Sequence, residues 1–250
     1  MHDWCLVTDI DGTLIGETET SVRLREAVLV ARARMAEKGA RLRWVIATGR
    51  DLESCDEVLL DQGFRLEDFD ARVTCVGAEL VLHGETAYDA GYHQRLSTTG
   101  FDARRVRKAL ADLPFLSPQF EHEQREHKVS YSSPGSPQHQ ARVKSALKVL
   151  GFETLTIFSH DNYLDIAPVN GAKGGAVSYL LERWGIPPER AVAAGDSGND
   201  RSMLEADWHG IVVANGYAEL ADLRAHPRVY FATKKHAAGI LEGLEFHGFL

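Results

Sequence analysis

Residues 4–14, WCLVTDIDGTL, decide the reading of this chain. Trp4 to Thr8 is a short, mostly apolar run, as expected of a strand buried in a parallel sheet. It is followed at once by Asp9 and Asp11, two carboxylates two residues apart, and then by Gly12 and Thr13. Like charges that close are costly unless a cation or a shared proton neutralises them. Strand alternation puts side chains i and i+2 on the same side. Ligands of open parallel sheets bind at the C-terminal strand ends, and a magnesium ion, hard and oxygen-seeking, suits two carboxylates placed there.

The pattern repeats outward from this stretch. Ser21 is expected to cap a helix running to Lys38, with Gly39 ending it. LRWVIAT (42–48) reads as a second buried strand, DLESCDEVLLDQG as a helix closing at Gly63, and RVTCVG (72–77) as a third strand. The order β-α-β-α-β predicts an α/β fold, a Rossmann-like parallel sheet wrapped by helices. From Leu82 to Pro168 the pattern changes. In KVSYS, Lys128, Ser130 and Ser132 share one face and Val129 and Tyr131 the other; in YLDIA, Tyr163 and Asp165 oppose Leu164 and Ile166. Helical patterns fall at 102–113 and 137–150. A smaller α/β layer with one polar sheet face is therefore expected, inserted into the first unit. After Gly171 the buried pattern resumes, with a helix at 174–184 closed by Gly185, strands at 191–195, 210–214 and 229–232, and a last helix through HAAGILEGL. The expected division is a core of residues 1–81 and 169–250 and an inserted unit of residues 82–168.

Other strand ends carry chemistry as well. GDSGND (195–200) puts Asp196 and Asp200 at the same sheet edge as Asp9 and Asp11, a second acidic cluster that strengthens the metal reading. ATGR (47–50) offers the Thr48 hydroxyl and, through Gly49, free backbone N–H groups ahead of a helix, which is a seat for phosphate. Lys173, in NGAKGGA, lies at a helix start, where a cation opposes the helix dipole; the placement points to an anion close by. An aspartate can attack phosphorus to give an acyl phosphate, a divalent cation offsets the repulsion between carboxylate and phosphate, and a second aspartate can handle protons. The pair at Asp9 and Asp11 thus reads as a division of labour.

The totals narrow the field. The 250 residues carry 44% hydrophobic side chains, ample for a sizeable core, and a net charge of −8, which argues against nucleic acid as a main partner. Cys5, Cys55 and Cys75 have no metal spacing and read as reduced core residues of a cytoplasmic protein. The opening MHDWCLVTDI is too short and acidic for a secretory leader, and no apolar run suits a membrane span. The eleven histidines show no metal-ligand spacing, and His122 and His127, five apart, give no reason to be paired.

Taken in order, DIDGTL, ATGR, Lys173 and GDSGND resemble the four motifs of the haloacid dehalogenase-like phosphatases, and the inserted layer resembles the α/β cap of the Cof-type branch. GAEL (77–80), KVSY (128–131), KGGA (173–176), GIVVANGYAEL (210–220) and the ending HAAGILEGLEFHGFL are similar to the sucrose-phosphatase and mannosylfructose-phosphate phosphatase group. The resemblance implies Asp9 as nucleophile, Asp11 as general acid and base, and Thr48 and Lys173 as phosphoryl holders. It implies magnesium bound by Asp9, the main-chain carbonyl of Asp11 and Asp196, with Asp200 supporting and Asn199 orienting nearby groups. Gly12 stands where some sucrose phosphatases carry Asn. The substrate class implied is a phosphorylated disaccharide, sucrose 6-phosphate first, then mannosylfructose phosphate or a glycosylglycerate phosphate; a sugar phosphomutase and a non-catalytic sugar-phosphate-binding domain are rival readings. Gly49, Arg50, Lys128 and Ser130 are expected at the substrate, with Glu121, His160 and Asp161 near them. Arg50 and Glu79 are expected near the hinge, either at the substrate or tying cap to core. A monomer acting downstream of a glycosyltransferase is expected.

Overall fold

The structure is a computed structural model that describes residues 3–160 and 162–250. Asp161, expected near the substrate, lies outside the described residues. The chain begins with β1 (Trp4–Thr8), α1 (Thr18–Glu37), β2 (Leu42–Ala47), α2 (Leu52–Asp61), β3 (Ala71–Thr74) and β4 (Glu79–Leu82). Then come α3 (Ala90–Ser97), α4 (Ala103–Leu110), β5 (Ser117–Pro118), β6 (Val129–Ser132), α5 (Pro137–Leu147), β7 (Thr154–Ser159) and β8 (Tyr163–Pro168). The last part holds α6 (Lys173–Trp184), β9 (Ala191–Gly195), α7 (Arg201–Leu204), β10 (His209–Val212), β11 (Val229–Phe231) and α8 (His236–Phe246).

One sheet has seven strands in the order β11-β10-β9-β1-β2-β3-β4, parallel except for β4, which returns antiparallel to β3. β1 lies in the middle, with Leu6 level with Trp44 of β2 and Val192 of β9. Alternation explains why these strands are apolar throughout. Leu6, Trp44, Ile46 and Val192 pack on one side with Leu24 and Val28 of α1 and Ile240 of α8, whereas Cys5, Val7, Val45 and Ala193 pack on the other with Val177 and Leu180 of α6. A second, four-stranded antiparallel sheet has the order β5-β6-β8-β7. Its apolar face, with Val129, Tyr131, Leu164 and Ile166, is covered by Val106 and Leu110 of α4 and Val143 and Leu147 of α5.

Several expected boundaries shift, each for a local reason. α1 begins at Thr18, and Ser21 lies inside its first turn, where the hydroxyl donates to the Leu14 carbonyl at 2.9 Å and anchors the preceding loop instead of capping the helix. The third strand stops at Thr74 because Cys75 and Val76 take left-handed φ values of 51° and 62°. This turn is tied down, with Cys75 N–H donating to the Arg50 carbonyl and Val76 N–H to the Thr48 carbonyl. Gly77 follows with φ of 105°, and a Cβ on it would lie 2.3 Å from the Ala172 carbonyl carbon, so only glycine fits. The hairpin strand β4 and helix α3 are both absent from the sequence reading; β4 is too short to show a period, and α3 lies in a polar stretch.

Two contacts fix the chain near this turn. The Tyr92 hydroxyl donates to the Gly77 carbonyl at 2.6 Å, with the Asn170 carbonyl at 3.4 Å, so the outgoing and returning chain segments are held together. Arg125, ahead of β6, donates to Glu79 of β4 at 2.7 Å. Of the two hinge residues expected, Glu79 thus reaches across to the inserted layer.

Candidate active site

The C-terminal edge of the large sheet gathers side chains from four separate segments. Asp9 follows β1 directly, and its N–H is fixed to the Ala194 carbonyl of β9 at 3.0 Å. Next to it, the Thr8 hydroxyl accepts from the Trp44 indole at 3.0 Å, which locks the strand end. The Asp9 carboxylate is buried and accepts from Lys173 Nζ at 2.7 Å. The same ammonium donates to Asp200 Oδ1 at 2.7 Å and to Asn199 Oδ1 at 2.9 Å, using all three of its hydrogens. The anion inferred from the helix-start position of Lys173 is therefore present as two carboxylates. Burial alone would discharge Lys173, yet Asp200 and Asp9 outweigh it and hold the pKa above the ordinary lysine value.

Asp9, Asp196 and Asp200 each offer an oxygen within 4.8 Å of the others. Burial pushes Asp9 well above the usual carboxylate range; Lys173 pulls it down, and Asp200 and Asp196 add to the rise. Asp196 is pushed up to about 7, by burial first and then by Asp200. Three buried carboxylates facing one lysine leave uncompensated negative charge, and an all-oxygen donor set of this kind fits a hard divalent cation. The three acids are not equivalent. Asp200 Oδ2 already accepts from the N–H groups of Asp196 and Ser197, at 2.9 and 3.0 Å, and its other oxygen meets Lys173. Asp200 therefore shapes the loop, with both its oxygens already engaged. Thr13 donates to Asp196 Oδ1 at 3.1 Å. Gly12 has φ of 74°, and a Cβ there would come within 2.4 Å of Asp196 Oδ2.

Asp11 is more exposed and is gripped by Arg50 through two bonds of 2.7 Å. Its carboxylate is thus committed to Arg50. The resemblance calls on its main-chain carbonyl, and the Arg50 contact leaves that group free. Arg50 is not a tie between layers, since both partners belong to the large sheet's edge. Thr48 is buried, with its hydroxyl accepting from the Arg50 N–H at 3.2 Å.

Above these residues lies a cavity of 690 Å³ between the two sheets. Asp9, Asp11, Gly49, Arg50 and Asn199 line its floor, and Lys128, Asp165 and Tyr163 belong to the opposite wall. The Lys128 ammonium sits between Glu123 at 3.6 Å and Asp165 at 3.7 Å. Two expectations are corrected. Ser130 shares the polar face but does not line the cavity; its hydroxyl is committed to Asp165 at 2.5 Å, directly across the strand pair. Glu121 lines a different depression with Arg104 and Arg107. His160 does line the cavity, with φ of 53° and its ring against Tyr217. The sequence reading missed Gln119, Phe120, Glu123 and Ser159 as wall residues. The alternation of KVSYS and of β8, which set Lys128, Tyr163 and Asp165 on polar faces, pointed toward the wall; Gln119, Phe120 and Glu123 lie outside the strands, and Ser159 ends β7.

A parallel sheet with an inserted layer and four chemical clusters at one edge defines a haloacid dehalogenase-like phosphatase. A subclass IIB sugar phosphatase of that superfamily shares the fold with a TM-score of 0.67 at 19% identity, over 99% of this chain and 100% of that one. A model of the sucrose-6F-phosphate phosphohydrolase family matches residues 2–248, and the chain belongs to that family. It is 29% identical to a mannosylfructose-phosphate phosphatase of Agrobacterium fabrum, over 97% of this chain and 96% of that protein. It is 32% identical to sucrose-phosphatase 1 of Nicotiana tabacum over 80% of its length, and the match spans 49% of that relative, about half. The solved sucrose-phosphatase of Synechocystis, in complex with sucrose and phosphate, superposes with a TM-score of 0.89 at 27% identity over the whole of both chains.

Proposed function

We propose that the protein is a magnesium-dependent phosphatase of phosphorylated disaccharides, with sucrose 6-phosphate the first candidate. One observation carries this reading: Asp9, bonded to Lys173, lies on the floor of a cavity whose opposite wall is the polar face of the inserted sheet. Residues 82–168 hold a cap on a core of residues 1–81 and 169–250, with α3 of that insertion packed on the core through Tyr92 and Leu96. An Asp9 oxygen attacks phosphorus in line, the bond to the sugar oxygen breaks, and Asp11 gives that oxygen its proton. Asp11 then takes a proton from water, whose oxygen attacks the aspartyl phosphate at phosphorus and returns Asp9 and free phosphate. Because Arg50 grips Asp11 in the resting arrangement, Arg50 must release it first, which frees the guanidinium for the phosphoryl oxygens. Lys173, the Thr48 hydroxyl and the Gly49 N–H hold the phosphoryl group, and Asn199 steadies Lys173. Magnesium, held by Asp9, Asp196 and the Asp11 carbonyl, would supply the charge that lets carboxylate and phosphate approach.

Lys128, Glu123 and Asp165 would satisfy sugar hydroxyls in the closed site. Mannosylfructose phosphate is the second substrate reading, favoured by the match across nearly all of both chains. The protein would act as a cytoplasmic monomer on the product of a sugar-phosphate-forming glycosyltransferase. Among the described residues, no helix is long and apolar enough to cross a membrane. The test is phosphate release with magnesium across sucrose 6-phosphate, mannosylfructose phosphate, mannosylglycerate phosphate and the glucose and fructose 6-phosphates. A strong preference for one disaccharide phosphate supports the reading. Flat, weak release on all of them overturns the disaccharide assignment, and absence of released phosphate with a bisphosphorylated sugar requirement would favour a mutase.

A further inference from the structure

A second cluster with metal-ligand chemistry lies away from the catalytic edge. We propose that His93, Glu126 and His127 form a binding site for a borderline transition-metal ion of the zinc class, which joins the inserted sheet to the core. His93 projects from α3, whose neighbouring residues Tyr92 and Leu96 are buried in the large sheet's core. Glu126 and His127 come from the segment that leads into β6 of the inserted sheet. One ligand atom from each of the three lies within 4.8 Å of the others. His93 Nε2 is 3.1 Å from Glu126 Oε2, His127 Nε2 is 4.0 Å from Glu126 Oε1, and the two imidazole rings are 4.9 Å apart.

Tetrahedral zinc with ligand bonds of about 2.0–2.1 Å sets its donors about 3.3 Å apart. The His93–Glu126 pair already has that spacing, and both side chains are exposed and able to close the rest by rotation. His127 is the fixed member. It is 4% exposed, and its Nε2 faces both the cluster and the Ser97 hydroxyl, 3.4 Å away. A metal bond at Nε2 would replace the long Ser97 contact, and burial holds the ring in one orientation toward His93 and Glu126. Two imidazoles and one carboxylate suit zinc, copper or nickel, whereas the all-oxygen cluster at Asp9 and Asp196 suits magnesium, so the two sites select different ions.

The location gives the ion leverage. Arg125, one residue before Glu126, donates to Glu79 of the core edge, and Lys128, one residue after His127, lines the catalytic cavity. An ion at the three ligands fixes the separation of α3 from this segment and so fixes how close Lys128 stands to the cavity floor.

The deciding experiment uses the full chain with excess magnesium to occupy the carboxylate cluster. One equivalent of Cu2+ is added and read by electron paramagnetic resonance, and Zn2+ affinity is measured by competition with a chromophoric chelator. The expected result is nitrogen coupling from two imidazoles and one zinc equivalent bound. His93→Ala and Glu126→Gln each weaken zinc by about ten-fold or more with the melting temperature unchanged. Since His127→Gln disturbs a buried position, the exposed His93 is the decisive variant. Copper without coupling to two imidazoles, or zinc bound equally well by His93→Ala, overturns the site and leaves the three residues a hydrogen-bonded contact only.

Discussion

Asp9 sits where a negative charge is hardest to keep. It is buried beside two further carboxylates, and Lys173 is the cation bonded to it. Asp9→Asn should abolish phosphate release while leaving the melting temperature at or above that of the parent, because an amide cannot attack phosphorus and one repulsive charge is gone. Retention of most turnover would exclude the covalent route. The raised pKa of Asp196 gives a second expectation. Without a cation, the folded protein holds this proton at pH values where the unfolded chain has released it. The stability it brings is present below the ordinary carboxylate range and is lost as pH rises toward about 7. Magnesium should therefore raise the melting temperature more at about pH 8 than at about pH 5, where protons compete for the same oxygens. Equal shifts at both values would place the ion elsewhere. At this scale the sequence was informative wherever chemistry sits at an element's end: Asp9, Thr48 and Asp196 were legible because the strand ends were, and Lys173 because it opens a helix. The Arg50 grip on Asp11 was not, since nothing in residue spacing tells which cation an exposed carboxylate will choose.

The strand–turn–hairpin after β3 shows what an element can hide. Left-handed φ at Cys75 and Val76, and the closeness of Gly77 to Ala172, are imposed by packing against the returning chain, and no local propensity announces them. Gly77→Ala should cost more than about 2 kcal/mol, read by denaturant unfolding, because both the backbone region and the available space exclude a Cβ. A loss under about 0.5 kcal/mol would mean the turn can relax. In the inserted sheet, alternation correctly set Lys128 and Asp165 on the polar face, but it could not tell a residue that lines the cavity from one, like Ser130, sealed beneath Glu123 and Asp165. Lys128→Ala should raise KM for the disaccharide phosphate more than for p-nitrophenyl phosphate. Equal effects on the two substrates would remove Lys128 from the sugar side. Some loss of stability should accompany it, since Glu123 and Asp165 lose their shared cation.

For the molecule as a whole, the apolar strand runs made the large sheet readable, and the change of pattern after β3 made the inserted layer readable. The number of strands in each sheet was not, because β4 and β5 have only 4 and 2 residues. The three cysteines are buried and unpaired, and burial pushes the thiols of Cys55 and Cys75 up to about 12. A thiol-reactive dye should thus label none of them in the folded protein at neutral pH and all of them after denaturation. Fast labelling under native conditions would reveal opening of the sheet.

The position of β1 between β2 and β9 has a consequence for how the chain is made. Cys5 and Ala191 are partners in the finished sheet, so one edge of β1 has no neighbour until β9 has been synthesised. Throughout that interval the nascent chain presents an apolar strand with open backbone groups, a template for pairing with other chains. Crowded ribosomes and rapid overexpression would therefore tax this protein early, and a holdase should raise its soluble yield more than any single stabilising substitution in the inserted layer.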